Sequence, residues 1–125
     1  MIKLKYQDKE HKINVVASHT YGIFDTIWGE EWQIGKFCLL FTNKVVSLWG
    51  FEVYPEHQRK GYAKKTLEGV IKALREQGRH ILALYVKRDN TSAITLYESL
   101  GFKRIEQEDS LSIYYELELT TIKIG

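Results

Sequence analysis

Apolar residues repeat with two different periods along the chain, and the change of period marks out its elements. Ala63, Leu67, Val70, Ile71 and Leu74 recur at helical spacing, which predicts an amphipathic helix over residues 63–77. Gly78 stands where such a helix would stop. Upstream, residues 45–53 are rich in β-branched, aromatic and aliphatic side chains and read as a strand. Gly50 inside that strand signals a bulge or a close backbone approach, and Pro55 ends it. Residues 81–86 are apolar on both alternations, the pattern of a strand buried on two faces. Asn90 can N-cap a second helix over 91–100, with Ala93, Tyr97 and Leu100 on one face and Gly101 as its stop. Residues 102–107 read as a short strand. Ile113, Tyr115, Leu117 and Leu119 alternate with Tyr114, Glu116 and Glu118, which predicts a half-buried strand. These last two strands should form a hairpin through Glu108, Asp109 and Ser110. Strands 45–53 and 81–86 are joined by a helix, so they should be parallel neighbours.

The N-terminal third reads less clearly. Thr42-Asn43-Lys44 looks like a turn from an earlier strand over 32–41. Shorter strands are expected near 2–6, 13–17 and 21–28, and no helical period appears before residue 45.

Composition narrows the class. At 125 residues, 44% hydrophobic and 27% charged, the chain suits one soluble domain with a real core. The net charge of +2 does not by itself point to nucleic acid or to a membrane. No stretch approaches the ~20 apolar residues of a membrane span, and the N-terminus has no signal-peptide pattern, so a cytoplasmic protein is expected. Cys38 is the sole cysteine, which excludes an intrachain disulfide, and its apolar surroundings suggest a small buried hydrophobe. His11, His19 and His80 are scattered, so no metal-ligand spacing exists and no metal is expected.

The segment Gln58-Arg59-Lys60-Gly61-Tyr62-Ala63 lies between a predicted strand and a predicted helix. Such a turn presents backbone N–H groups and the positive end of the helix dipole to an anion. Gly61 can adopt φ > 0 and admits a close phosphate. Arg59, Lys60, Lys64 and Lys65 add positive charge. A plain strand-to-helix turn with solvated basic residues would read the same. The segment lacks both the Walker A lysine pattern and the glycines of a dinucleotide fingerprint. A nucleic-acid patch would want aromatic interleaving that is absent here.

A second constellation separates these readings. Leu84-Tyr85-Val86 followed by Asn90, Ala93, Leu96-Tyr97 and Leu100-Gly101-Phe102 resembles one signature of the GNAT superfamily of acyl-CoA-dependent N-acyltransferases. Val53-Tyr54-Pro55 followed by Gln58, Gly61 and Ala63 resembles the other. The resemblance covers about residues 45–119. It implies an α/β (α+β) single domain with a mixed, splayed β-sheet flanked by helices. It also implies acetyl-CoA as co-substrate, a primary amine acceptor, and direct attack of that amine on the thioester. The pantetheine arm would lie where strands 45–53 and 81–86 part, at Val53. The pyrophosphate would sit on amides from Arg59 to Ala63, including Lys60 and Tyr62, with Gln58 and Lys64 alongside. Asn90 would contact the CoA arm as well as cap its helix. Tyr97 has a core role by its spacing and, in this setting, that of general acid to the departing thiolate.

Two departures from the family pattern stand out. Where relatives carry a base on the strand before Val53, this chain has Phe51, Trp49 and Ser47. Glu52 is the adjacent carboxylate, and simple alternation puts it on the opposite face unless a bulge at Gly50 intervenes. Tyr85, Glu30, Glu31 and His57 are weaker alternatives, and a water relay is another. The N-terminal region is also shortened, with no room read for the pair of helices that usually covers the acceptor side. That leaves an open acceptor groove or a homodimer as expectations, with Phe24, Trp28, Trp32 and Phe37 as surface to cover. Trp28, Trp32 and Trp49 stay open between an acceptor pocket and core or dimer packing. The rival readings are a non-catalytic acyl-CoA-binding module of the same fold and a small nucleic-acid-binding domain.

Overall fold

The computed structural model describes residues 2–6, 11–13, 16–105 and 111–120. Its elements are β1 (Lys3–Tyr6), β2 (His11–Ile13), β3 (Val16–Ile27), β4 (Glu30–Phe41), β5 (Val45–Val53), α1 (Tyr62–Glu76), β6 (Ile81–Lys87), α2 (Thr91–Ser99), β7 (Lys103–Ile105) and β8 (Ser112–Glu118). The strands form one sheet in the order β1-β3-β4-β5-β6-β8-β7, with β2 also pairing β3. Every pairing is antiparallel except β5 with β6. The helical crossover through α1 thus makes its two strands parallel, as expected.

The burial pattern follows the pleat. Leu82, Leu84 and Val86 of β6 and Ile113, Tyr115 and Leu117 of β8 are buried and share one core with Leu67, Val70, Ile71 and Leu74 of α1 and Tyr97 of α2. Each large apolar side chain so buried contributes roughly 1.5–3 kcal/mol. Two bonds lock the helices to the sheet. The Tyr115 hydroxyl donates to Glu98 of α2 at 2.7 Å, and the Arg75 Nε of α1 donates to the Leu119 carbonyl at 3.3 Å. Both helices lie on this face and flank a shared surface groove. Among the described residues no helix lies on the other face, and none precedes the single 3₁₀ turn at Pro55–His57.

The N-terminal third differs in detail from the sequence expectation. In place of separate strands near 13–17 and 21–28, one long β3 pairs β2 along its first half and β1 along its second. Residues 14–15 and the hairpin turn at Glu108, Asp109 and Ser110 lie outside the described residues. Cys38 is half-buried, because it belongs to the helix-free face while Phe37 and Leu39 on either side point into the core. Trp28 is 98% exposed and sits in the β3–β4 turn, and Trp32 and Trp49 are about half exposed. None of the three tryptophans is a core residue. Among the described residues no helix is long and apolar enough to cross a membrane.

Candidate cofactor cleft

The site begins where the sheet opens. β5 and β6 are in register from Val45 opposite Ile81 to Leu48 opposite Leu84, and pairing stops there although both strands continue. A bulge in β5 causes the parting. The register with β4 jumps from Cys38 opposite Trp49 to Lys36 opposite Glu52, so Phe37 faces Gly50 and Phe51 together. Gly50 takes φ 58°, a left-handed conformation that costs a glycine little. The extra residue bends β5 away from β6 and resets the alternation. Phe51 and Val53 face the helices with Val46 and Leu48, while Trp49 and Glu52 share the outer face. Simple alternation had grouped Trp49 and Ser47 with Val53, and the bulge overturns that.

Backbone groups then point into the opening. The Tyr54 N–H donates to the Ile34 carbonyl of β4 at 2.8 Å. Successive peptide groups of a strand point to opposite edges, so the Val53 N–H points away from β4, into the split. The Val53 carbonyl is held by the Gln58 side-chain amide at 2.8 Å. Gly35 makes this arrangement possible. It lies opposite Val53, and a Cβ there would fall 2.2 Å from the Glu52 carbonyl oxygen. Gly35 was missed as a site residue, although an isolated glycine within a strand is the same signal that marked Gly50.

The turn ahead of α1 is shaped for an anion. Arg59 and Gly61 both have positive φ, 63° and 81°, an alternation that gathers successive N–H groups into a concavity. Nothing lies within 4 Å of a Cβ added at Gly61, so its conformation and not its space calls for glycine. The first helical bond runs from the Lys65 N–H to the Gly61 carbonyl at 3.2 Å. The N–H groups of Tyr62, Ala63 and Lys64 therefore have no acceptor within the helix. No acidic residue stands in the first turn, and Arg59, Lys60, Lys64 and Lys65 are exposed around it. The Tyr62 hydroxyl donates to Asp25 of β3 at 2.8 Å and ties the turn to the sheet. That bond holds the Asp25 carboxyl below its usual range and raises the Tyr62 phenol.

Two adjoining cavities join split and turn. One of about 390 Å³ is lined by Val53, Gln58, Ala63, Asn90 and Tyr97 together with Phe51, Ser92, Ala93 and Leu96. The other, about 230 Å³, is lined by Val53, His57, Gln58, Arg59, Gly61, Tyr62, Ala63, Lys64 and Leu96. Asn90 is the N-cap, its side-chain oxygen accepting from the Ala93 N–H at 3.2 Å. Tyr97 is 8% exposed, lies edge-on to Phe102 at 5.7 Å, and is pushed above the usual phenol range by burial. Lys60 stays on the exposed rim, and Glu52 lies exposed on the outer face and lines neither cavity. The other residues expected to hold the cofactor, and Tyr97, all line these cavities, as does His57, whereas Tyr85, Glu30 and Glu31 do not. Leu96 and Asp25 join them without having been anticipated.

Residues 29–111 match the family model described as FR47-like protein. The alanine N-acetyltransferase of ribosomal protein bS18 from Escherichia coli K12 is 39% identical over 74 residues, covering 56% of this chain and 50% of that protein. The matched segment thus spans half the length of that relative. The crystal structure of the ribosomal-protein-S18-alanine N-acetyltransferase from Escherichia coli superposes with a TM-score of 0.76 at 20% identity, covering 98% of this chain and 97% of the other. PaiA N-acetyltransferase from Thermoplasma acidophilum, in complex with coenzyme A, superposes with a TM-score of 0.68 at 25% identity over 81% of this chain and 60% of the other. The matched segment contains the split, the anion turn and both helices, and the fold of the whole agrees: this chain belongs to the FR47-like family, within the GNAT superfamily.

Proposed function

We propose that this chain transfers an acetyl group from acetyl-CoA to a primary amine by direct attack on the thioester. One observation carries the reading. A strand split with an unpaired N–H at Val53 opens toward a helix N-terminus whose amides are free and whose first turn is basic. Pantetheine is an extended chain of amides and the rest of CoA is a polyanion, so the two features match the two halves of one molecule.

The residues divide the work. Amides around Arg59, Lys60, Gly61, Tyr62 and Ala63 take the pyrophosphate, with Lys64 adding charge. Gln58 holds the Val53 carbonyl, leaving the Val53 N–H to face the thioester carbonyl and its developing oxyanion. Asn90 caps α2 and borders the arm. The amine lone pair forms the new N–C bond, the C–S bond breaks, and sulfur keeps the electron pair. One amine proton is lost and the thiolate gains one, so the products are an amide and free CoA thiol. Tyr97 donates to the leaving sulfur. Its burial keeps the phenol protonated at neutral pH, though handing that proton to a thiolate of ordinary basicity, near ~8.5, is uphill. Glu52, one residue from Val53 and on the outer face, receives the amine proton.

A binding-only reading draws on one fact, that Glu52 lines neither cavity. Two measurements separate the cases. Acetyl-CoA should raise the melting temperature of the wild type. Gly61→Asp, which adds a side chain at positive φ and a negative charge, should abolish that rise. An equal rise in a folded Gly61→Asp protein would remove CoA from this turn. Thiol release from acetyl-CoA across a panel of amines then distinguishes turnover from binding alone.

A further inference from the structure

The outer face of the sheet carries three aromatic rings that hold no part of the cofactor. Trp49 and Tyr85 are the first residues beyond the last β5–β6 pair, and their rings meet across the split at 6.1 Å. Tyr114, directly opposite Tyr85 in the β6–β8 register, packs beside it with its ring tilted by 45° at 4.9 Å. Tyr115 reaches α2 on the helix side, so its neighbour Tyr114 projects from the helix-free side. Trp49 is 47% and Tyr85 48% exposed. Behind the rings the Tyr114 hydroxyl donates to Glu116 at 2.7 Å.

We propose that Trp49, Tyr85 and Tyr114, backed by Glu116, form the acceptor site and select a cationic amine. The inference rests on the acetyl-transfer reading above. If the cofactor enters the split from the helix side, the acceptor must approach its carbonyl from the opposite face, where Trp49 and Tyr85 stand at the start of the opening with Tyr114 beside them. Aromatic faces attract an ammonium group, and the Tyr114–Glu116 bond fixes one ring and a carboxylate together. Bulk charge does not favour a cation here, since Glu52, Glu116 and Glu118 share the face with Lys36, Lys87 and Lys103. Selection therefore falls to the rings. The chain's own cations cover other rings, with Lys5 over Phe24 and Arg79 over Phe41. The ammonium form docks and gives up one proton to solvent; the neutral amine then attacks and loses its second proton to Glu52.

The test uses choline, a quaternary cation that cannot be acetylated on nitrogen, and its neutral carbon isostere 3,3-dimethyl-1-butanol. In proton NMR spectra choline should move the indole N–H signal of Trp49, identified by its loss in Trp49→Phe, and the isostere should not. With a reactive amine, Tyr85→Leu should raise KM about 5- to 30-fold while kcat changes little, and Tyr85→Phe should stay near wild type. The acetyl-CoA melting shift should survive in all three variants. A Trp49 signal that ignores choline, or that responds equally to the isostere, overturns the acceptor assignment and leaves the acetyl-CoA reading standing. A missing acetyl-CoA shift in the wild type counts instead against the proposed function, and the choline titration still decides what the rings bind.

Discussion

Gly35→Ala is the sharpest test of how the split is held open. The added Cβ would lie 2.2 Å from the Glu52 carbonyl oxygen and 3.1 Å from the Val53 Cα. Both are backbone atoms, so no side-chain rotation relieves the contact. An ordinary carbon–oxygen contact needs roughly 1 Å more, and strands β4 and β5 must separate by about that much at their outer ends. Overpacking of this kind costs typically ~1–3 kcal/mol. For 125 residues the unfolding entropy is on the order of 0.26 kcal/mol/K, so each kcal/mol lowers the melting temperature by about 4 °C. The expected fall is therefore about 4–12 °C. Val53 moves with β5, and a misplacement near 1 Å at a reacting centre can cost on the order of 10²-fold in rate. Differential scanning fluorimetry with and without acetyl-CoA, followed by thiol-release kinetics, reads both effects. A variant with wild-type melting temperature, cofactor shift and turnover would refute the claimed close approach and its role in placing Val53.

Tyr97→Phe keeps the packing against Phe102 and removes only the hydroxyl. It should lower kcat on the order of 10²-fold with little change in the acetyl-CoA melting shift; wild-type turnover would return Tyr97 to a purely structural role. Stability should fall in alkali. Burial raises the phenols of Tyr21, Tyr97, Tyr114 and Tyr115, and the bond to Asp25 raises Tyr62. Unfolded phenols ionise near ~10, before the folded ones, so the unfolded state binds fewer protons there and unfolding becomes easier as pH rises above about 10. Urea midpoints unchanged between pH 9 and 11 would contradict this.

The half of the chain from β5 onward was legible because each element there carries a local signal. α1 shows a clean apolar stripe, Asn90 and Gly101 bracket α2, and β8 alternates. The family signatures fall on the turn and on α2, and eight of the residues chosen there line the cleft. What escaped was non-local. The face on which Trp49 emerges depends on a bulge whose placement is set by β4, and no period within β5 reveals which residue is doubled. Asp25 meets Tyr62 across 37 positions of chain. Gly35 matters only because Glu52 lies over it. The extent of β3 was misread for the same reason: its two halves serve different partners, which interrupts any single alternation.

The β3–β4 hairpin turns through only Trp28 and Gly29, both at positive φ. A two-residue connection of this twist brings twelve-residue strands into line with almost no loop-closure entropy. The contacts it organises are short in sequence and form on the timescale of hairpins. Pairing β5 with β6 requires the whole α1 crossover to be laid down first. By sequence separation alone the hairpin is the fast pairing and the parallel seam that opens as the cleft is the slow one, so slowing of folding is expected from lesions in the α1 crossover before lesions at the hairpin turn.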